Sequence, residues 1–300
     1  MDQMNYPPQA PMPTPAPAQP VYAKGCMGAA WEDIKATPGY VSKLLVLGLI
    51  MCVPILNFVV AGYLLHWSRE VPFGGKTPMP AKYVTGKNFE FGFYAFVIAL
   101  VVSLVTGIVG MVFGVIPLLG GLLYLAVMVV GTVAANLMQM RMIMGCTIGD
   151  GFNVKDAWNM AKRNWGQLLL VTLVPGIVAG LIVTVVTTVV VLFAVLVAMG
   201  GAAPSLMAVS ATSDPSFAEV MSIIGAIAGP TLIAALIAYV LACFAETAAQ
   251  TVTVRGLGHW VARYAPEWTA LAAPVPPTYP TNPPVPPQAP VPPQTPGMFQ

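Results

Sequence analysis

Residues able to carry out chemistry are few, and they are scattered along a mostly apolar chain. The two histidines, His66 and His259, have no cysteine or carboxylate nearby in the sequence at the spacing of metal ligands. No phosphate-binding glycine loop, GxSxG elbow or HExxH pair is present. We therefore expect no catalytic, cofactor-binding or metal-binding residue, no cofactor, and a protein that is not an enzyme. The cysteines include no CxxC pair and predict neither a disulfide framework nor a metal site; they are Cys26, Cys52, Cys146 and Cys243.

Three amide side chains stand inside apolar runs: Asn57, Asn136 and Gln139. One interpretation is a polar path through the membrane, with Asn136 and Gln139 opposite Asn57. The favoured interpretation is hydrogen bonding within or between helices, which is common for polar side chains in membrane helices. The four longest apolar runs have no ionisable residue between their ends, which argues against a proton- or sodium-coupled pump.

The composition indicates the class of protein. Of the 300 residues, 57% are hydrophobic and only 8% are charged, whereas an average soluble domain has about 25% charged residues. Because so few charges cannot cover a soluble fold of this size, we expect an integral membrane protein. The net charge of +2, without a dense cluster of Lys and Arg, gives no indication of a nucleic-acid partner.

The stretch from Gly92 to Met140 organises the rest of the chain, because its 49 residues include no charged side chain. A helix needs about 20 apolar residues to cross a hydrocarbon core of about 30 Å, so the two halves around Pro117 predict a transmembrane hairpin. The run 168–199 is about 48 Å long as a helix and must tilt, kink or project beyond the membrane. We predict an all-α polytopic transmembrane bundle with a Pro-broken first segment, amphipathic interfacial helices and disordered Pro-rich tails. Its membrane segments are expected at residues 44–65, 92–114, 121–140, 168–199 and 220–243.

The first segment, residues 44–65, contains Pro54 and Asn57, whose free carbonyl and amide need partners that lipid does not supply. Lys and Arg residues in short loops stay cytoplasmic. A re-entrant hairpin here places all 13 Lys and Arg residues inside, whereas a full crossing gives 10 inside and 3 outside. Both topologies obey the rule, and the re-entrant one obeys it better. It also predicts that both termini are cytoplasmic.

Both ends of the chain are rich in proline, with 19 of the 30 prolines lying in residues 1–22 or after residue 273. Proline favours extended polyproline II geometry and breaks helices. We therefore predict disordered tails at residues 1–28 and 266–300, flanking a membrane domain at residues 29–265. Such tails can bind aromatic grooves of protein partners, although the favoured interpretation is a solvated tail without a specific docking motif.

Two amphipathic segments are expected to lie at the membrane surface. Residues 29–43 contain Trp31 and Tyr40, whose rings suit the headgroup layer, and residues 153–166 begin with Asn153 as a helix N-cap. Membrane lipids are therefore expected partners.

GxxxG motifs begin at Gly110, Gly176 and Gly225. Glycines four residues apart let two helix backbones approach closely. The motifs favour packing within the bundle, with homo-oligomer contacts as the alternative.

A series of short motifs resembles a known family: Trp31-x-Asp33-Ile34, Pro38, CVPILN, Gly62-Tyr63, Arg69, Pro80 and Phe91-Gly92. The family comprises uncharacterised prokaryotic multi-pass membrane proteins and is defined by domain of unknown function 4013. The similarity covers roughly residues 29–265 and is clearest in residues 29–95. The chain departs from the pattern at Met79 and Tyr83, where Leu and Trp would be expected. The resemblance implies a helical bundle in a prokaryotic inner membrane and carries no activity with it.

Two functions are consistent with these features. The leading hypothesis is a non-enzymatic membrane protein that organises or binds partners through its tails and surface helices. The alternative is a transporter or channel-like protein for a small neutral solute or lipid, since broken helices at membrane depth often bind substrates in transporters.

Overall fold

Nine α-helices and two 3₁₀ helices make up the part of the chain that the structure describes, and the all-α prediction is confirmed there. The computed structural model describes residues 24–75, 77–114, 116, 119–210 and 216–271. The 3₁₀ helices are Val71–Phe73 and Pro266–Leu271. The α-helices are α1 (Cys26–Ala36), α2 (Tyr40–Met51), α3 (Asn57–Arg69), α4 (Gly86–Gly114), α5 (Gly120–Gly145), α6 (Ile148–Gly151), α7 (Val154–Ala161), α8 (Trp165–Ser210) and α9 (Phe217–Tyr264).

Four helices are long and apolar enough to cross a membrane: α4, α5, Trp165–Gly201 of α8 and Val220–Tyr264 of α9. The four full spans predicted from the apolar runs are thereby confirmed as candidate spans. In the most apolar stretch of each helix, only 6–22% of the residues are buried. The remaining surface is apolar and exposed, as expected for helices whose solvent is lipid.

The predicted hairpin of α4 and α5 is present. Gly110 of α4 lies against the Tyr124 ring of α5, and Gly131 of α5 lies against the Thr106 side chain of α4. From the first contact to the second, the residue number decreases along α4 and increases along α5, so the two helices are antiparallel. Pro117, which was expected in the turn, lies outside the described residues.

A second, longer hairpin is formed by α8 and α9. The Trp260 indole of α9 donates a hydrogen bond to the Asn164 carbonyl just before α8, and Gly256 lies against Val171. The 46 residues of α8 measure about 69 Å, against about 44 Å for the 29 residues of α4. Since the hydrocarbon core is only about 30 Å thick, a large part of α8 lies outside it.

The predicted first segment is broken in two, as its proline implied. Residues 52–56, which include Pro54, are turns between α2 and α3. Before α2, the chain bends by 101° between α1 and α2, and Gly39 in this bend has a φ of 65°. Such a φ strains residues that have a Cβ, so the sharp change of direction suits glycine.

Contacts with α9 show that the chain runs along this helix in α2 and returns along it in α3. Asp33, just before α2, binds Arg255, and the carbonyl of Cys52 at the tip accepts a 2.8 Å hydrogen bond from the Tyr239 hydroxyl. After α3 has returned, the Trp67 carbonyl again contacts Arg255. From Arg255 to Tyr239 the axis of α9 covers about 24 Å. This geometry favours the re-entrant alternative over a full crossing.

Most of the buried core lies at one end of the bundle, which we name the base. The base comprises residues 24–39 with α1, the start of α2, α3, residues 70–75 and 77–85, residues 146–164 with α6 and α7, the first turns of α4 and α8, the last turns of α5 and α9, and the 3₁₀ helix Pro266–Leu271. It contains the largest buried side chains, including Trp67, Trp260 and Trp268. Because the loops and short helices of the base join all the long helices, it is the part that fixes their positions.

The folded region extends a few residues past both predicted boundaries of the membrane domain. Helix α1 begins at Cys26 rather than at residue 29, and the 3₁₀ helix Pro266–Leu271 follows residue 265. Trp268 in this 3₁₀ helix is buried and donates a 2.9 Å hydrogen bond to Asp156. The remaining residues of the predicted tails, 1–23 and 272–300, lie outside the described residues.

The second amphipathic segment forms helix α7, and its predicted cap is confirmed. The Asn153 side chain accepts a 3.1 Å hydrogen bond from the Asp156 amide. Trp158 remains 42% exposed and packs edge-on against Trp165, with ring centroids 5.2 Å apart. The helix therefore presents an aromatic surface where the base meets the long helices.

Helices α3 and α4 approach each other so closely that the fold should not tolerate a side chain at Gly62. A Cβ there would lie 1.7 Å from the Asn88 carbonyl oxygen. We predict that Gly62→Ala destabilises the protein by about 1–3 kcal/mol, a typical range for overpacking, and lowers its melting midpoint in detergent. The matched control is Gly107→Ala on α4, where the new Cβ meets no neighbouring atom within 4 Å. Equal midpoints for both variants would contradict this close packing.

Candidate functional site

The most concentrated group of polar side chains lies at the centre of the base, around Arg255 of α9. This side chain is fully buried. Its Nε donates a 2.7 Å hydrogen bond to Asp33 of α1, and one terminal nitrogen donates a 2.7 Å bond to the Trp67 carbonyl of α3. The guanidinium also stacks on the Trp67 ring, 4.2 Å from its centroid. One arginine thus joins the first, third and last helices.

Histidine His259 joins the same group from the next turn of α9. Its Nε2 lies 2.9 Å from the Asp33 carboxylate. Burial raises the pKa of Asp33, but the hydrogen bond from His259 and the charge of Arg255 outweigh burial and hold the pKa below its usual value. An ionised carboxylate can only accept, so His259 must carry its proton on Nε2.

A second carboxyl group, Glu70, faces the same arginine from the end of α3. Burial raises the pKa of Glu70, and the nearby charge of Arg255 acts in the opposite direction. The cluster therefore holds two carboxyl groups with opposite pKa shifts beside one buried cation. Such pairs can mark acid–base sites, although structural ion networks also produce them.

The pairing of His259 with a carboxylate corrects our interpretation of that residue as isolated. Asp33 lies 226 positions earlier in the chain, and ligand spacing in the sequence does not detect a partner so remote. The other histidine, His66, is not part of the cluster. Burial lowers the pKa of His66, which lies near Asn88 and Phe91.

The family-like motifs meet in the loop that covers the cluster. The Tyr63 hydroxyl donates a 2.8 Å hydrogen bond to the Pro80 carbonyl, and the Trp67 indole donates a 3.0 Å bond to the Thr77 carbonyl. Met79, which departs from the family pattern, is nonetheless buried in the core. The other departing residue, Tyr83, packs against Tyr63. These residues hold the loop in place against α3.

The family comparison agrees with this convergence of motifs. Residues 46–192 match the family model described as Protein of unknown function (DUF4013). This part of the chain, just under half of it, is similar to that family. No curated protein and no solved structure matches the chain. The resemblance is thereby confirmed from α2 into α8, whereas Asp33 and Arg255 lie outside the matched range.

Within the DUF4013 region, a second ion pair fixes the surface helix α7. Arg141 at the end of α5 lies 2.6 Å from Asp156 of α7, and the same carboxylate accepts from Trp268. This ion pair therefore adds a charged contact between α5 and α7 to those around Arg255.

The amide residues do not come together in one polar path. Asn136 donates to the Thr132 carbonyl of its own helix, and Gln139 donates to the Ala95 carbonyl of α4 at 3.1 Å. Asn57 instead lines a groove of about 420 Å³ beside Tyr239 of α9. The interpretation of Asn136 and Gln139 as packing residues is confirmed.

The GxxxG motifs have different surroundings. Gly110 packs against Tyr124 within the bundle, as the favoured interpretation predicts. A Cβ at Gly176, Gly180 or Gly225 would meet no neighbouring atom within 4 Å. Gly176 and Gly180 instead line the groove beside Asn57 and Tyr239.

Metal coordination finds no support among the described residues. They contain no group of three or more His, Cys, Asp and Glu side chains arranged to hold a metal ion. All four cysteines are free thiols. The role that the Arg255 cluster supports best is structural, because its ion pair and hydrogen bonds hold α1, α3 and α9 together.

Removing one partner of a buried ion pair leaves an uncompensated charge, so single substitutions in this cluster should be severe. We predict that Arg255→Met destabilises the protein by about 3–5 kcal/mol and sharply lowers the yield of monodisperse protein. The double variant Arg255→Met with Asp33→Asn should recover part of the loss, because both charges are removed.

The measurement is the melting midpoint of each variant in detergent, with Lys155→Met on the exposed face of α7 as the control. An Arg255→Met variant as stable as this control would show that the ion pair does not hold the helices together.

Proposed function

We propose that this protein is a non-enzymatic integral membrane protein of a prokaryotic cytoplasmic membrane, and that it organises or binds protein partners through its two Pro-rich tails. The observation that carries the proposal is the meeting of the two ends of the folded region. Arg263, near the end of α9, donates a 2.6 Å hydrogen bond to the Lys24 carbonyl, the first residue described.

The neighbouring ends matter because both proline-rich segments continue from them. Beyond Arg263, the 3₁₀ helix is held to the base by an ion pair between Arg163 and Glu267. Two short binding segments attached at one place act at high effective concentration on a partner with two sites. The arrangement therefore supports joint binding by both tails.

The distribution of basic residues supports a cytoplasmic position for the base and for both tails. By the positive-inside rule, Lys and Arg near membrane helices mark the cytoplasmic side. The described basic residues all belong to elements of the base: Lys24, Lys35, Lys43, Arg69, Lys82, Lys87, Arg141, Lys155, Lys162, Arg163, Arg255 and Arg263.

Deleting the tails tests the proposal. We predict that the full chain, purified gently from its native membrane, retains a stoichiometric protein partner that is lost when residues 1–23 and 272–300 are both deleted. Each single deletion should weaken retention less than the double deletion does, because one tail still binds.

A second variant replaces every tail proline with serine at unchanged length, which removes the proline motifs and keeps the length of the tails. It should behave as the double deletion does. An unchanged set of partners after the double deletion would contradict the proposal.

The alternative, a transporter or channel-like protein for a small neutral solute or lipid, is favoured by one observation. The Pro-broken tip of the α2–α3 hairpin adjoins the groove lined by Asn57, Tyr239 and Glu246. Asn57→Leu should then abolish uptake of the solute without lowering the amount of protein in the membrane. Asn136→Leu is the matched control, since Asn136 bonds only to its own helix among the described contacts. Equal loss of uptake in both variants, or in neither, would contradict a path at the hairpin tip.

A further inference from the structure

A second groove, of about 450 Å³, lies where the interfacial helix α1 meets the long hairpin of α8 and α9. Its lining is apolar and includes Ile34 of α1, Leu44 of α2, Val178 and Ile182 of α8, and Ala249 of α9. Val178 and Ile182 are 50% and 54% exposed. Because these two residues belong to the apolar run of a candidate span, the groove opens towards lipid.

The other end of the groove lies at the membrane surface. Trp31 of α1 lines it and remains 44% exposed, as expected for a tryptophan in the headgroup layer. The groove therefore leads from the interfacial helix α1 into the apolar part of the bundle. A phospholipid bound in this direction has its headgroup beside α1 and an acyl chain between the apolar side chains.

Basic residues stand beside the mouth of this groove. The Lys35 ammonium lies 5.5 Å from the centroid of the Trp31 ring, and Lys24 lies just before the start of α1. The acidic residues of α1 do not cancel this charge: Glu32 is paired with Lys24, and Asp33 faces the buried Arg255. The mouth therefore carries a net positive charge at Lys35.

The shape and surroundings of the groove favour a membrane lipid as its occupant. Along α8, its lining runs from Val174 to Ile182, which is about 12 Å. Its volume of about 450 Å³ lies within the range of ligand pockets. An apolar channel that faces lipid and has a basic residue at its mouth suits one acyl chain of an anionic lipid.

We propose that this groove binds one acyl chain of an anionic membrane phospholipid, with the headgroup phosphate held by Lys35 beside Trp31. The site is separate from the tails and does not depend on the proposed binding of protein partners. It would anchor α1, and with it the Asp33 end of the ion cluster, to the membrane surface.

Two substitutions separate the acyl-chain and headgroup contributions. Gly28 lines the groove, and a Cβ there would meet only the Lys24 side chain, at 3.8 Å. Gly28→Leu should therefore fit the fold and fill the mouth of the groove; its control is Ala36→Leu, on the same helix at an exposed position outside the groove. Lys35→Gln removes the charge, with Lys82→Gln as its control.

The measurement is native mass spectrometry of the full chain in detergent, after addition of phosphatidylglycerol or phosphatidylcholine with identical acyl chains. The unmodified protein should retain one lipid and prefer phosphatidylglycerol. Lys35→Gln should reduce that preference about fivefold, since one basic residue near a membrane surface contributes about this factor. Gly28→Leu should reduce retention of both lipids about tenfold, while Ala36→Leu and Lys82→Gln bind as the unmodified protein does.

Retention of both lipids to the same extent by the unmodified protein would overturn the assignment of an anionic headgroup. Unchanged lipid retention in Gly28→Leu would overturn the groove as the binding site. Melting midpoints establish that each variant is folded, and the Lys35→Gln result stands even if Gly28→Leu fails to fold. Because the assay contains one purified protein and no partner, its outcome is independent of the tail-deletion experiment.

Discussion

The contact between Arg255 and Asp33 determines how the rest of the structure is arranged. It attaches the first helix to the last, and the stacking of Arg255 on Trp67 adds α3. A buried cation is costly unless it is paired and hydrogen-bonded, so the contacts of Arg255 with Asp33 and the Trp67 carbonyl favour this docking of the helices. The position of α1, the neighbouring ends of the described residues and the groove beside α1 all depend on this docking.

The two ends of the molecule differ in how much of their side-chain surface is buried. The base contains the large buried side chains and the charged contacts, while the spans expose most of their apolar surface. In lipid, apolar surface provides no strong drive for helices to associate, and close packing or hydrogen bonds must do so. This explains why the long helices pair as two hairpins, through contacts such as Gly110 with Tyr124, and are joined mainly at the base.

Features governed by local rules could be predicted from the sequence. The spans followed from the length of apolar runs, the break in the first segment from Pro54, and the cap of α7 from Asn153. The Arg255 cluster could not be predicted, because its partners are about 220 residues apart and each looks ordinary alone. Charge counting left the first segment open, since both topologies obey the positive-inside rule; the contacts of Cys52 with Tyr239 and of Trp67 with Arg255 favour the return.

The most direct test of this arrangement is the side of the membrane on which α2 begins and α3 ends. Cys26 does not serve as the reporter, because it is buried and burial raises the pKa of its thiol. In a cysteine-free background, single cysteines at Ala36, Lys82 and Phe217, all exposed positions, should be treated with a membrane-impermeant thiol reagent on intact cells. The account predicts labelling at Phe217 alone, and labelling at Ala36 and Lys82 only after permeabilisation. Labelling at Ala36 but not at Lys82 on intact cells would show that the first segment crosses the membrane, and would contradict the account.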